Sequence, residues 1–365
     1  MTPIAKGDEP MTNLTYACIG AGGIADKKHL SQYSKIENLS ISAICDVNTI
    51  VAEKMAAKYH ISSVYTDYHK MLDEVKPDIV SICTANHLHR QITIDALQSG
   101  SHVHLEKPIA LNAKEAEEIV AVQKATGKKI MLGLNNRFLP EFSYLMKCIN
   151  EGFFGDIYHA KCGWLRRNGI PGKGVWFTDK EKSGGGPLID LGVHYLDIIF
   201  WLLKYPKVTR VSSTTYCTFA DQDHRLRPGY KNIGDGLFNV EDMVVGTLFT
   251  KDKTTVQFEF SWASNIERET KYCELLGTKG GAVWRDGELK LFSEIAKTGV
   301  IISPDLSLVP PLPGECAQFV NAIQQNKPSP ASAEEGLFMM QIIDAAYLSA
   351  DENREVCLDY VLIPE

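Results

Sequence analysis

Residues 16–25 read Tyr-Ala-Cys-Ile-Gly-Ala-Gly-Gly-Ile-Ala, an apolar run that breaks into glycines and resumes as a helical stretch. The spacing Gly20-x-Gly22-x-x-Ala25 therefore follows a strand and opens a helix. Gly20 permits a tight turn, and Gly22 lets backbone N–H groups approach a pyrophosphate at the helix N-terminus. A small residue at 25 lets helix and strand pack closely. Gly20, Gly22, Gly23 and Ile24 are accordingly expected at a dinucleotide. The second apolar run ends in Asp46, 21 residues after Ala25. A carboxylate there would accept hydrogen bonds from ribose hydroxyls and repel a 2′-phosphate, which favours NAD over NADP. The competing reading is that Asp46 only caps the helix starting near Asn48.

Around this fingerprint, strand-like runs at 16–20, 39–46, 78–84, 101–106 and 129–135 alternate with helical stretches near 48–60, 68–75, 87–99 and 112–126. Runs so continuous in Ile, Val and Cys suit a parallel sheet covered on both faces. Asn112 and Glu115 have capping-box spacing, and Gly127 closes that helix. Residues 12–137 thus read as a Rossmann dinucleotide-binding domain in an α/β protein. Residues 138–365 read as a separate α+β domain with an open, mostly antiparallel sheet. It comprises a helix near 140–151, a strand near 156–163, a Gly-rich aromatic loop from 168 to 186 and an apolar helix over 187–203. Strand-like runs follow at 209–219, 244–250, 254–262 and 271–277. After Pro310, Pro311 and Pro313 come two helices, near 315–325 and 333–350, the second with Ser332 and Glu335 as a capping box.

Composition narrows the classes. The chain has 365 residues, enough for about two domains with their own cores. Its 38 Lys and Arg against 45 Asp and Glu, a net charge of -7, disfavour nucleic acid as a partner. The most apolar segment, 195–203, is half the length of a membrane span. Nine scattered cysteines offer no CxxC pair, and buried free thiols fit a reducing, cytoplasmic setting. Residues 1–10 precede a second methionine, Met11, and read as a leader or tag.

In open α/β sheets ligands lie beyond the C-terminal strand ends. That places Thr84, Asn86 and His87, together with Glu106 and Lys107, at the cofactor. A lysine there can stabilise an alkoxide as hydride leaves. Asp190 and His194, four residues apart on the apolar helix, share one face, and an imidazole with a pKa near 6.5 suits proton transfer. The plainer reading is a solvated surface lysine for Lys107 and a satisfied core histidine for His194. His87 and His89 could pair on a metal, but no matching carboxylate cluster stands out, and no metal is expected.

Together the glycine fingerprint, Glu106-Lys107-Pro108 and Asp190-x-Gly192-x-His194-x-x-Asp197 resemble the Gfo/Idh/MocA family, relatives of glucose–fructose oxidoreductase and inositol dehydrogenase. The resemblance spans Thr15 to about Asp359. It implies Lys107 as catalytic lysine, His194 as the proton-transfer residue, Asp190 as its companion and a cis peptide before Pro108. Where relatives often carry Thr-Pro-Asn, this chain has Ala85 in place of the proline.

Arg137, Arg166, Arg167, Trp164, Trp176 and Tyr195 surround the expected cleft, and flat rings with polar donors suit a pyranose or cyclitol. Of these, Arg137, Arg166, Trp176 and Tyr195 are the expected substrate contacts. The expectation is an NAD-dependent dehydrogenase of a sugar, glycoside or cyclitol. Two rivals are an NAD-dependent glycosidase acting by transient oxidation and elimination, and a non-catalytic NAD-binding sensor. The open second sheet predicts a homodimer or homotetramer.

Overall fold

The computed structural model describes residues 13–358, apart from 235 and 311. The leader expected at 1–10 lies outside them. The N-terminal unit holds a six-stranded sheet of β1 (Leu14–Ile19), β2 (Leu39–Cys45), β3 (Ser63–Tyr65), β4 (Ile79–Ile82), β5 (His102–Leu105) and β6 (Ile130–Leu132). All pairings are parallel, in the order β3-β2-β1-β4-β5-β6. The order reverses between β1 and β4, where a crevice opens beyond the strand ends. Gly20 follows β1 at that point with φ +90°, and a Cβ there would lie 2.5 Å from the Cys83 carbonyl oxygen. Only glycine fits.

The central strands are buried on both faces, as their unbroken apolar runs require. Truncating a fully buried side chain such as Ile44 or Leu105 to Ala would cost about 2–5 kcal/mol. The helix Ala113–Thr126 starts as its sequence predicts, with the Asn112 side chain accepting from Glu115 N–H. Glu115, however, accepts from Leu111 N–H, one residue outside a capping box. β3 was not expected, since three residues give no periodicity to read.

A second sheet holds β7 (Ile157–Leu165), β8 (Val208–Tyr216), β9 (Met243–Thr250), β10 (Thr255–Ser261), β11 (Thr270–Gly277), β12 (Gly281–Arg285), β13 (Glu288–Ile295), β14 (Thr298–Ile302) and β15 (Val356–Cys357). Their order is β14-β13-β12-β11-β7-β10-β9-β8-β15, antiparallel except for β7 with β10. The apolar helix Val193–Leu202 packs against β7 on one face. The helix Ala333–Glu352 bridges the two units, lying on β8 and on Ala113–Thr126. Ser332 and Glu335 form its capping box in full. No helix among the described residues is long and apolar enough to cross a membrane.

Candidate active site

The glycine loop is braced from β2. Asp46 accepts a hydrogen bond from Ala21 N–H at 2.7 Å through Oδ2 and one from Asn48 N–H at 2.8 Å through Oδ1. Asp46 does not cap the following helix, whose cap is Asn48; it steadies the glycine loop and the turn before that helix instead. Beyond the adjoining chain, no protein atom lies within 4 Å of where a Cβ on Gly22 or Gly23 would stand. Ile24 is partly exposed beside them. Thr84 Oγ1 is buried without a hydrogen-bond partner. Open space over glycine backbone and an orphaned hydroxyl at the crevice fit a dinucleotide.

Beyond β5 the chain turns through a cis peptide between Lys107 and Pro108. Lys107 Nζ donates to Asp190 Oδ1 at 2.9 Å and to the Asp190 carbonyl at 3.0 Å, joining the two units. Trp262, fully buried just after β10, donates from its indole to Asp190 Oδ2 at 3.0 Å. Burial favours a neutral Asp190, but Lys107, Arg166 and these hydrogen bonds win and hold its carboxyl at about 2. His194 stands beside the pair with a buried Nδ1 that lacks a partner. Burial first, and then the Lys107 charge, push its imidazole down to about 3. The near-neutral value expected from sequence is therefore replaced by a firmly neutral ring.

Asp190 owes its place to the loop before it. Residues 188–192 wind as a π-helix, and the chain enters this turn through Gly184-Gly185-Gly186. The buried Glu241 carboxylate accepts from Gly186 N–H, Leu188 N–H and the Tyr347 hydroxyl at 2.8–3.1 Å. A Cβ on Gly186 would meet the Glu241 carbonyl oxygen at 2.0 Å. Sequence reasoning missed both Trp262 and Glu241. They lie 72 and 53 residues from their partners Asp190 and Leu188, beyond any local pattern.

The remaining expected residues divide. Arg166 is buried beside the Trp164 ring at 4.3 Å, and its charge acts on Asp190. Trp176 stacks on Phe177 with centroids 3.7 Å apart. Arg137 is a correction. Only 3% exposed, it donates from Nε and Nη2 to Asp197, from Nη2 to the Tyr205 hydroxyl, and from Nη1 to Glu335 and the Pro330 carbonyl. All five donors are engaged, so none is left for a substrate. Tyr195 is a second correction. It is 4% exposed and packs between Trp164 and Trp284, because the residue after His194 turns about 100° around the helix toward the sheet. Asn86 is buried and donates to the Ser183 carbonyl across the units, whereas His87 is exposed. Glu106 is bonded to His29 rather than turned to open space. Among the described residues no group of three or more His, Cys, Asp or Glu is arranged to hold a metal.

Comparison with known proteins agrees with this architecture. Residues 14–134 match an oxidoreductase family with an NAD-binding Rossmann fold, and residues 142–283 match the GFO/IDH/MocA C-terminal domain. The D-glucoside 3-dehydrogenase of Escherichia coli (strain K12) is 33% identical over 350 residues, covering 94% of this chain and 97% of that protein. The inositol 2-dehydrogenase of Rhizobium meliloti (strain 1021) is 25% identical over 354 residues, covering 94% and 98%. Among solved structures, levoglucosan dehydrogenase in complex with NADH and L-sorbose superposes with a TM-score of 0.84 at 22% identity, over 97% of this chain and 100% of that one. With matches in order over both units and a relative this similar along almost its whole length, the chain belongs to the GFO/IDH/MocA family of NAD-binding oxidoreductases.

Proposed function

We propose that the protein oxidises a ring hydroxyl of a sugar, glycoside or cyclitol to a ketone, or runs the reverse reduction. The observation that carries this reading is the Lys107–Asp190 pair, braced by Trp262, with an unpartnered His194 nitrogen beside it. The balanced reaction takes a CH–OH group and NAD to a C=O group, NADH and one proton. Bound at the glycine loop, NAD would supply the hydride acceptor. Two of the three Lys107 N–H donors lie on Asp190. The third serves the substrate oxygen and stabilises the negative charge that grows there. His194, neutral above about pH 4, accepts the hydroxyl proton. Arg166 and Trp176 are the proposed substrate contacts, and Thr84, Gly22, Gly23 and Ile24 the proposed cofactor contacts.

The name of the E. coli relative, with its 33% identity, favours a glucoside over a free cyclitol. We place the boundary between units at residues 137 and 138, just before the helix Pro140–Asn150. The free thiols support a cytoplasmic setting, and the open face of the second sheet supports a homodimer or homotetramer. The test is a panel of glucosides, aldoses, polyols and inositols incubated with NAD and followed by NADH absorbance. Stoichiometric NADH with an oxidised sugar is expected. Sugar release without net NADH would make the protein a glycosidase, and NADH binding without turnover of any compound would make it a sensor.

A further inference from the structure

His29 sits on the helical turn directly after the glycine loop and is 1% exposed. Its Nε2 lies 2.9 Å from Glu106 Oε1 and its Nδ1 lies 2.8 Å from Ser81 Oγ. Glu106 immediately precedes Lys107, and its carboxylate is hemmed in. A Cβ on Gly133 would come within 3.1 Å of Oε1 and 3.2 Å of Oε2. The groups that face Glu106 are His29, Lys107 and, from the second unit, the His194 ring. Around His29 stand Cys18 on β1, Glu315 on the helix Glu315–Gln324 and the His104 ring on β5, whose centroid is 4.3 Å away.

We propose that His29 is a positioning residue for the reaction: bonded to Glu106 and Ser81, it keeps the Glu106 carboxylate fixed, and that carboxylate in turn holds the adjacent Lys107 directed at Asp190. The inference rests on the dehydrogenase reading above. Both titrations agree in direction. Burial opposes an ionised Glu106 and an ionised His29 alike, yet their hydrogen bond and mutual attraction lower the carboxyl and raise the imidazole. His104, by contrast, is driven well below its ordinary value by burial and the His29 charge, so the cluster carries one imidazolium rather than two. Without His29, a nearly buried carboxylate loses its partner and takes up a proton at higher pH. The turn that carries Lys107 then loses its anchored carboxylate.

The experiment measures kcat against pH for the wild type, His29→Leu and His29→Gln, with NADH affinity measured in parallel by fluorescence. His29→Leu should acquire an acid limb that the wild type lacks, with kcat falling about tenfold or more between about pH 8 and about pH 6. NADH affinity should stay within about threefold, because neither group is assigned to the cofactor phosphates. His29→Gln keeps an amide donor toward Oε1 and should recover most of the activity at the lower pH. A loss in His29→Leu that is equal at every pH, or no loss, would overturn the proposal. If no polyol is turned over even by the wild type, infrared titration of the Glu106 carboxyl, assigned with Glu106→Gln, still decides. The proposal requires it to stay ionised in the wild type at a pH where it is protonated in His29→Leu, and identical titrations would refute it.

Discussion

The chain winds into a π-helix at Ala25–Leu30 and again at Leu188–Gly192, each time directly after a glycine-rich loop. Each loop is braced by one carboxylate, Asp46 on Ala21 N–H in the first case and Glu241 on Gly186 and Leu188 N–H in the second. Each turn carries or leads into a histidine beside the Lys107 turn. There the likeness ends. His29 has partners on both nitrogens and an imidazole raised by Glu106 against its burial. His194 has an orphaned Nδ1 and an imidazole pushed down to about 3. One residue type, similarly enclosed, is shifted up where a carboxylate bonds it and down where burial and the Lys107 charge outweigh the nearby carboxylates. Under the proposed mechanism, the partners given to each ring separate support from chemistry.

That contrast breaks first if His194 is dispensable. His194→Ala and Lys107→Ala should each lower kcat about 10²- to 10⁴-fold with NADH binding retained, measured by steady-state turnover and fluorescence titration. A variant with near-full turnover would move the chemistry elsewhere.

Support on the second turn should matter less. Trp262→Phe removes the indole donor from a charged carboxylate, a hydrogen bond worth about 1.5–3 kcal/mol. Turnover should fall about tenfold or somewhat more, with little change in NADH affinity. Support on the first turn acts on the cofactor instead. Wild-type kcat/KM should favour NAD over NADP by at least about tenfold, and Asp46→Ser should narrow the gap mainly through poorer use of NAD. Equal use of both cofactors by the wild type would leave Asp46 a brace alone.

A stability measurement sharpens the contrast directly. Because the His194 pKa is about 3 when folded and near 6.5 when unfolded, the unfolded chain binds the extra proton in that window. His194 therefore contributes stability above about pH 6.5 that drains away as pH falls toward 3. In His194→Leu the decline of Tm between about pH 6.5 and pH 4 should be shallower than in the wild type. Nitrogen NMR of the rings at about pH 6 should find His194 neutral and His29 protonated.

The sequence told the two halves of the site apart unequally. The glycine loop, the acid at 46 and the alternation of strands and helices were legible because the fingerprint is local, with its spacing set by one strand, one turn and one helix. Lys107, Asp190 and His194 were visible mainly through their combination, and the structure brings them together. Their supports were not visible, since Trp262 and Glu241 reach their partners only through the second sheet. The misreadings share that cause. Arg137 resembled a cleft arginine until Asp197, Glu335 and Tyr205, scattered in sequence, converged on it. Tyr195 resembled a sugar platform until the sheet claimed its face of the helix. The strands β12–β14 fall between the last strand-like run, 271–277, and Pro310, where no strand was expected. The π-winding of both turns leaves no mark in residue spacing at all.

The bond from Ala21 N–H to Asp46 also bears on anyone who would recode the cofactor. A design that exchanges Asp46 for a small or cationic side chain treats the position as a specificity letter, yet the same carboxylate is a strut of the loop it is meant to retune. Loosening the strut would weaken the use of NAD before it improved the use of NADP. A workable recoding therefore carries two edits. One supplies a new acceptor for the Ala21 amide, such as an asparagine at 46, and the other places the cation at the neighbouring, fully accessible Val47.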